Sequence, residues 1–320
     1  MMQRLFFRLL RSYVWLALHI FFRRIRVSGL DQIPPGAVLF TANHQNAFLD
    51  ALLIVCSSKR YTHFLARADI FRKRWARSLL RLINLLPVYR VRDGWQSLNR
   101  NHETFAACSH LLAAQQAIVI FPEGNHGSAR RLRPLSKGFS RVAFQTLRLQ
   151  PALPLFIVPV GLNYTDPTHA RSSVHIKYGP PLRANTYFEM GEPQGAQALR
   201  DALSFAMQQL ITHLPEQPAP HVEALTSQPV DFLEPERINA WIANPALPLP
   251  LHNRQPDIVG TLWRLLLFPI ALAWQRWDAK IKDRVFVGSL KFAFVFGIVN
   301  VAVVVVVIIA IIWTVWTINT

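Results

Sequence analysis

The stretch Asn43-His44-Gln45-Asn46-Ala47-Phe48-Leu49-Asp50 brings an imidazole and a carboxylate close together in the chain. An imidazole whose second nitrogen is held by a carboxylate is a general base suited to neutral pH. His44 oriented by Asp50 is therefore a candidate for taking a proton from an alcohol. The apolar runs Ala37-Val38-Leu39-Phe40 and Ala51-Leu52-Leu53-Ile54-Val55 flank it, the order of a strand, a short polar turn and a helix. Six residues turn a regular helix through roughly 240°. The two side chains meet only if His44 stays in the turn and the helix begins near Asn46 or Ala47. The spacing equally permits a histidine that caps the helix and an aspartate on a solvated face.

A second group, Phe121-Pro122-Glu123-Gly124-Asn125-His126-Gly127, follows the apolar strand Ala117–Phe121 as the first follows its own. Its glycines let backbone approach a ligand closely. Arg130, Arg131, Arg133 and Lys137-Gly138 come next, a density of cations beside glycine that suits a phosphate. Taken alone, each is also what an ordinary turn and a solvated basic loop look like. Tyr89-Arg90-Val91-Arg92 and Val158-Pro159-Val160-Gly161-Leu162-Asn163 end two further strands. Four strand ends with polar or glycine residues argue for one site at the edge where ligands bind in open α/β sheets.

The elements that must deliver these residues alternate. Strands are expected at Ala37–Ala42, His63–Ala66, Pro87–Val91, Ala117–Phe121, Phe156–Leu162 and Val174–Tyr178. Helices are expected at Ala47–Ser57, from Asp69 to Leu86, and at Gln96–Gln115, Gly138–Leu149 and Gly195–His213. That order predicts an α/β domain, a largely parallel sheet flanked by helices, over residues 27–214. Residues 1–26 carry Arg4, Arg8 and Arg11 at helical spacing among apolar residues and read as an amphipathic helix in the membrane interface. Residues 215–257 hold nine prolines and read as a linker or covering segment, with a short helix near Glu234–Ala243. Residues 258–320 read as a membrane anchor. Leu262–Trp274 is interfacial, and the uncharged run Phe292–Thr317 is long enough for one transmembrane helix. Arg276, Lys280, Lys282, Arg284 and Lys291 between them predict a cytoplasmic loop, with the catalytic domain on that same face.

The formal charge of the 320-residue chain is +17, and its first 150 residues hold 23 Lys/Arg against 6 Asp/Glu. Such a field recruits polyanions, whether nucleic acid, anionic lipid or phosphorylated substrate. Nucleic acid is disfavoured because no recognition motif accompanies the charge. Cys56 and Cys108 lie in apolar helical stretches and read as buried thiols. No Walker loop, GxSxG elbow or dinucleotide fingerprint is present.

The motif set resembles the PlsC-type glycerolipid acyltransferases, the glycerol-3-phosphate and 1-acylglycerol-3-phosphate O-acyltransferases, over roughly residues 25–215. The matching residues are His44 and Asp50 of an NHxxxxD-like motif, Phe121-Pro122-Glu123-Gly124 with the later Lys137-Gly138, and Val158-Pro159-Val160. The resemblance implies that His44 is the base and Asp50 its orienting partner. It implies that Glu123 and Gly124 help bind the acceptor, and that Arg90, Lys137 and nearby cations hold the acceptor phosphate. The acyl donor would be acyl-CoA or acyl carrier protein, with membrane lipids as surroundings and neither a metal nor a further cofactor. Two departures stand out. Five residues rather than four separate His44 from Asp50, as in a branch that resembles the fungal glycerol-3-phosphate/dihydroxyacetone-phosphate enzymes. His126 also stands where the family has arginine, so Arg130, Arg131 or Arg133 would substitute. A lysophospholipid acyltransferase or transacylase, or a silent lipid-binding relative, are the alternative readings.

Overall fold

The computed structural model describes residues 2–89, 95–223, 225, 228–251, 260–261 and 268–301. Eight strands form one sheet: β1 Arg24–Ser28, β2 Ala37–Ala42, β3 Thr62–Arg67, β4 Leu85–Val88, β5 Ala117–Ile120, β6 Leu155–Tyr164, β7 Ser173–Tyr178 and β8 Leu182–Arg183. Their order is β1-β7-β6-β2-β5-β3-β4, with β8 added to β6. β6 runs antiparallel to β7 and β8; the other pairs are parallel. The expected largely parallel α/β sheet is therefore present.

The main helices are α1 Met2–Phe21, α2 Ala47–Ser57, α3 Arg74–Leu82, α4 Trp95–Ala113, α5 Gly138–Leu149, α6 Ala184–Phe188 and α7 Gln194–Leu210. The central strand β2 is buried along its whole length and feeds both sides of the sheet. Its Val38, Phe40 and Ala42 face one core with Leu18 and Phe22 from the end of α1 and Leu49, Leu53 and Ile54 of α2. Ala37 and Leu39 face the other, with Leu112 of α4, Phe139 and Phe144 of α5, and Leu203 of α7. The two-residue alternation of a strand divides one apolar run between two cores.

Three boundaries differ from expectation. The N-terminal helix ends at Phe21, and Arg24–Ser28 is instead an edge strand paired with β7. Ile25 and Val27 alternate with Arg24 and Arg26, the pattern of a strand charged on one face. The helix expected from Asp69 to Leu86 is a 3-10 turn, Ala68–Phe71, followed by α3. Asn84 in the left-handed region (φ 64°) ends it. Strand β4 accordingly lies at Leu85–Val88 rather than Pro87–Val91.

The proline-rich segment is a covering element. Val222, Leu225, Val230 and Ile238 build a third small core, and Leu233 O accepts a hydrogen bond from His175 on β7 at 2.8 Å. At the C-terminus, Phe268–Asp278 is helical. Arg284–Val301 is one helix long and apolar enough, by length and composition, to cross a membrane. The remainder of the expected span, residues 302–317, and residues 262–267 of the expected interfacial stretch lie outside the described residues. The C-terminal helix returns to the domain, with Phe292 edge-on to Phe21 at 5.3 Å.

Candidate active site

The β2–β5 pairing places the two motif loops side by side, because Thr41 and Ile120 are register partners at the ends of their strands. Asn43 extends the other pairing of β2. Its side chain donates to Leu162 O at 3.0 Å and accepts from Leu162 N at 2.8 Å, locking the turn to β6.

His44 Nδ1 and Asp50 Oδ2 lie 2.8 Å apart, with the histidine side chain 17% exposed and the aspartate 0%. The extra residue between them is absorbed at Ala47, whose φ of 40° lies in the region that favours glycine. That kink curls the backbone around the carboxylate. Asp50 Oδ2 also accepts from Gln45 N at 2.8 Å and Asn46 N at 2.7 Å. Oδ1 accepts from the Tyr164 hydroxyl at 2.5 Å. Asp50 is buried but accepts from four donors, which satisfies its oxygens and fixes their position. The His44 ring stacks on Phe121 at 3.9 Å, with 12° between planes. With Nδ1 directed at Asp50, Nε2 is the nitrogen left for a substrate.

Glu123 does not line the cleft beside His44, contrary to the expectation of an acceptor-binding carboxylate. Its side chain is 2% exposed and pairs with Arg133 at 2.6 Å. It also accepts from His44 N and Arg133 N, each at 3.0 Å. Glu123 thus ties the second motif to the backbone of the first. Arg133 is its counter-ion and sits behind the cleft wall, donating to the lining residue Asn125.

Arg130 is also off the cleft. It donates to Tyr164 O at 2.7 Å and Thr165 O at 2.9 Å and lies 3.6 Å from the Phe232 ring centre. Burial pushes its guanidinium down to about 10, with Asp166 opposing that shift. It anchors the covering segment. Arg131 pairs with Glu216 at 3.1 Å, outside the cleft. Arg90 lies outside the described residues.

The cleft in front of His44 has a volume of about 1550 Å³. Gly124 and Lys137 line it, and so do three cations that sequence reasoning did not single out: Arg67, Arg141 and Arg148. Lys137, Arg141, Gln145 and Arg148 recur at one-turn spacing on α5, a stripe readable in the sequence once the helix is assigned. Ser136, Lys137 and Gly138 bring the N-terminus of α5 to the wall, where the helix dipole favours an anion. Phe48, Ala51, Phe64, Ile70, Leu85 and Val88 add apolar lining. One cleft thus offers a base, cations and apolar side chains.

His126 takes a different role from the arginine it replaces. Its Nε2 meets Asp283 Oδ2 at 2.9 Å, and its ring is edge-on to Phe286 at 4.5 Å and to His44 at 5.8 Å. Its hydrogen bond, the backbone bond to Val285 N and its charge hold Asp283 below the usual carboxylate range, against the opposing effect of burial.

The structure defines a mostly parallel α/β sheet with a carboxylate-held histidine at its strand ends. A family model described as Acyltransferase matches residues 5–163, which hold both motif loops. An uncharacterized acyltransferase of Schizosaccharomyces pombe is 34% identical over 71 residues, 22% of this chain and 10% of that protein. Glycerol-3-phosphate O-acyltransferase 2 of Saccharomyces cerevisiae is 30% identical over 82 residues, 26% of this chain and 11% of that protein. The chain thus matches about a tenth of the length of these curated relatives. The solved 1-acyl-sn-glycerophosphate acyltransferase PlsC of Thermotoga maritima aligns with a TM-score of 0.48 at 16% identity, over 71% of this chain and 82% of that one. Residues 5–163, just under half of the chain, are similar to the acyltransferase family, and both motif loops lie within that stretch.

Proposed function

We propose that the chain is a membrane-bound O-acyltransferase. It moves a fatty acyl group from acyl-CoA or acyl carrier protein to a hydroxyl of a glycerol phosphate acceptor. The observation that carries the reading is the 2.8 Å contact between His44 Nδ1 and a buried Asp50, at the wall of a cleft lined by both cations and apolar side chains.

The chemistry follows from those groups. His44 Nε2 takes the acceptor's hydroxyl proton as its oxygen attacks the thioester carbon. The tetrahedral oxyanion collapses, the C–S bond breaks, and the leaving thiolate takes the proton back from the imidazolium. Asp50 stabilises the transient imidazolium and fixes its tautomer. The thioester donor serves as co-substrate, and the scheme uses no other cofactor. Lys137 and Arg141, rather than Arg130, Arg131 or Arg133, hold the acceptor phosphate, assisted by the α5 N-terminus. The acyl chain runs along the Phe48–Val88 wall.

Membrane residence rests on the C-terminal helix and on α1, whose Leu5, Leu9, Leu16 and Ile20 form an exposed apolar stripe. A cytoplasmic orientation is supported by the basic residues Arg276, Lys280, Lys282 and Arg284. The loop that bears them also carries Asp283, which touches the cleft residue His126. Loop and cleft therefore share a side.

The test is a membrane assay with radiolabelled acyl-CoA. Glycerol 3-phosphate, its 1-acyl derivative and lysophosphatidylcholine are compared as acceptors. Transfer to a phosphorylated glycerol acceptor is expected, and His44→Ala is expected to lower it by ~10²–10⁴-fold while membrane association persists. Full turnover in His44→Ala would remove the dyad from the chemistry. Preference for lysophosphatidylcholine would make this a lipid-remodelling enzyme.

A further inference from the structure

The C-terminal helix does more than leave the domain. Ser289, wholly buried, sits on the N-terminus of α2, 243 residues after Asn46. Its hydroxyl donates to Asn46 O at 2.6 Å and accepts from Leu49 N at 3.1 Å. Asn46 stands at the N-cap of α2 but makes no side-chain capping bond. Ser289 supplies that cap from another helix. Asn46 is held on its other side as well, donating to Pro167 O at 2.8 Å. The fit is close: a Cβ at Gly288 would lie 2.0 Å from Pro167 O and 2.8 Å from Asn46 Oδ1.

What Ser289 grips is the strained part of the dyad's turn. The next residue, Ala47, has φ 40°. A non-glycine residue there is strained and persists only where its surroundings over-determine it. Asn46 N and Gln45 N both donate to Asp50 Oδ2, the same oxygen that faces His44. Any relaxation at Asn46–Ala47 therefore moves the carboxylate's donors, and with them the imidazole.

We propose that Ser289 is a positioning residue for the His44–Asp50 turn, so that the turn is competent only while the C-terminal helix is seated on it. The segment that carries the candidate membrane span is then also part of the active-site scaffold. Asp283 and Phe286, on the same segment, brace His126 on the other side of His44. This rests on the acyltransfer reading for its consequence, but not for the contact itself.

The test uses the full chain in detergent–lipid micelles, with Ser289→Ala, Ser289→Cys and, as a control on the same helix, Leu290→Ala. Leu290 is exposed and off the contact. Ser289→Ala removes the hydroxyl and leaves the rest of the side chain, whereas Ser289→Cys puts a larger, weakly hydrogen-bonding thiol in its place, so an effect common to both reports the cap rather than packing. Two quantities are read: steady-state kinetics, and hydrogen–deuterium exchange of the peptide covering residues 44–52. Both Ser289 variants are expected to lower kcat by about tenfold, within the ~10²-fold that roughly 1 Å of misplacement costs, while KM for donor and acceptor stays within twofold. Exchange at residues 44–52 should quicken, and Leu290→Ala should match wild type in both. Unchanged exchange overturns the capping role. Faster exchange with unchanged kcat overturns the link to catalysis. A wild-type protein that transfers no acyl group sinks the functional reading instead, while the exchange data still decide the cap.

Discussion

Tyr164 and His44 share one carboxylate, bonded to opposite oxygens of Asp50: the tyrosine to Oδ1 at 2.5 Å and the histidine to Oδ2 at 2.8 Å. The phenol lies at the last position of β6 and is wholly buried, with the Phe22 ring 6.2 Å away. Asp50 thus cannot rotate away from the imidazole without abandoning a charge-assisted hydrogen bond. Tyr164→Phe removes that restraint and nothing else. We expect a stability loss of about 2 kcal/mol, the usual worth of a hydrogen bond to a charged group. A several-fold drop in kcat at constant KM should accompany it. Thermal melts and steady-state kinetics check this; an unchanged kcat would leave Tyr164 as packing only.

The same phenol predicts behaviour at alkaline pH. Burial first, then the charge of Asp50 and the bond to it, push the Tyr164 hydroxyl well above its ordinary value of 10.0. A raised folded-state value gives stability that is whole below pH 10 and is lost progressively above it, as the unfolded chain releases a proton the folded chain keeps. Tyr178, buried on β7, is raised too, chiefly by burial. Absorbance titration of phenolate should therefore show at least two of the six tyrosines silent until the chain unfolds. Ionisation of all six in a folded protein near pH 10 would contradict the buried placement.

Lys137 and Arg141 sit one helical turn apart on the cleft wall, whereas Arg131 pairs with Glu216 outside it. Lys137→Ala and Arg141→Ala should each raise KM for a phosphorylated acceptor by roughly tenfold, the loss of one charge-assisted contact. Arg131→Ala should change neither KM nor kcat. Equal effects on phosphorylated and unphosphorylated acceptors would place the phosphate elsewhere.

Glu123 predicts a different signature from that of a substrate ligand. Glu123→Ala takes the carboxylate acceptor from Arg133 and from the His44 amide, while Arg133 keeps its bonds to Asn125. The cost should be about 3 kcal/mol, at the low end for breaking a buried pair because Arg133 keeps some solvent. Stability and kcat should fall together for every acceptor. A rise in KM confined to one acceptor, with stability intact, would return Glu123 to the binding surface.

Much of this architecture was legible. β2 and α2 fall where the apolar runs end, because a wholly buried strand and a polar turn leave unmistakable edges. The His44–Asp50 contact was readable as one of two options, since local spacing limits what a short turn can bring together. The placement of the cations was not legible. Arg130 and Arg133 look like any basic loop until their carbonyl and carboxylate partners are known, and those partners come from distant strands and turns. Tyr164 resembles an ordinary core aromatic. Ser289 gave no signal, because a cap supplied from 240 residues away follows no period.

The β2–β5 and β2–β6 registers carry a consequence for how the chain assembles. His44 and Asp50 are six positions apart, but the groups that steady them come from much farther along: Glu123 at a separation of 79, Tyr164 at 114 from Asp50, Ser289 at 240 from Leu49. Closing loops of that length is entropically late work. During synthesis the first motif therefore emerges long before the residues that steady it.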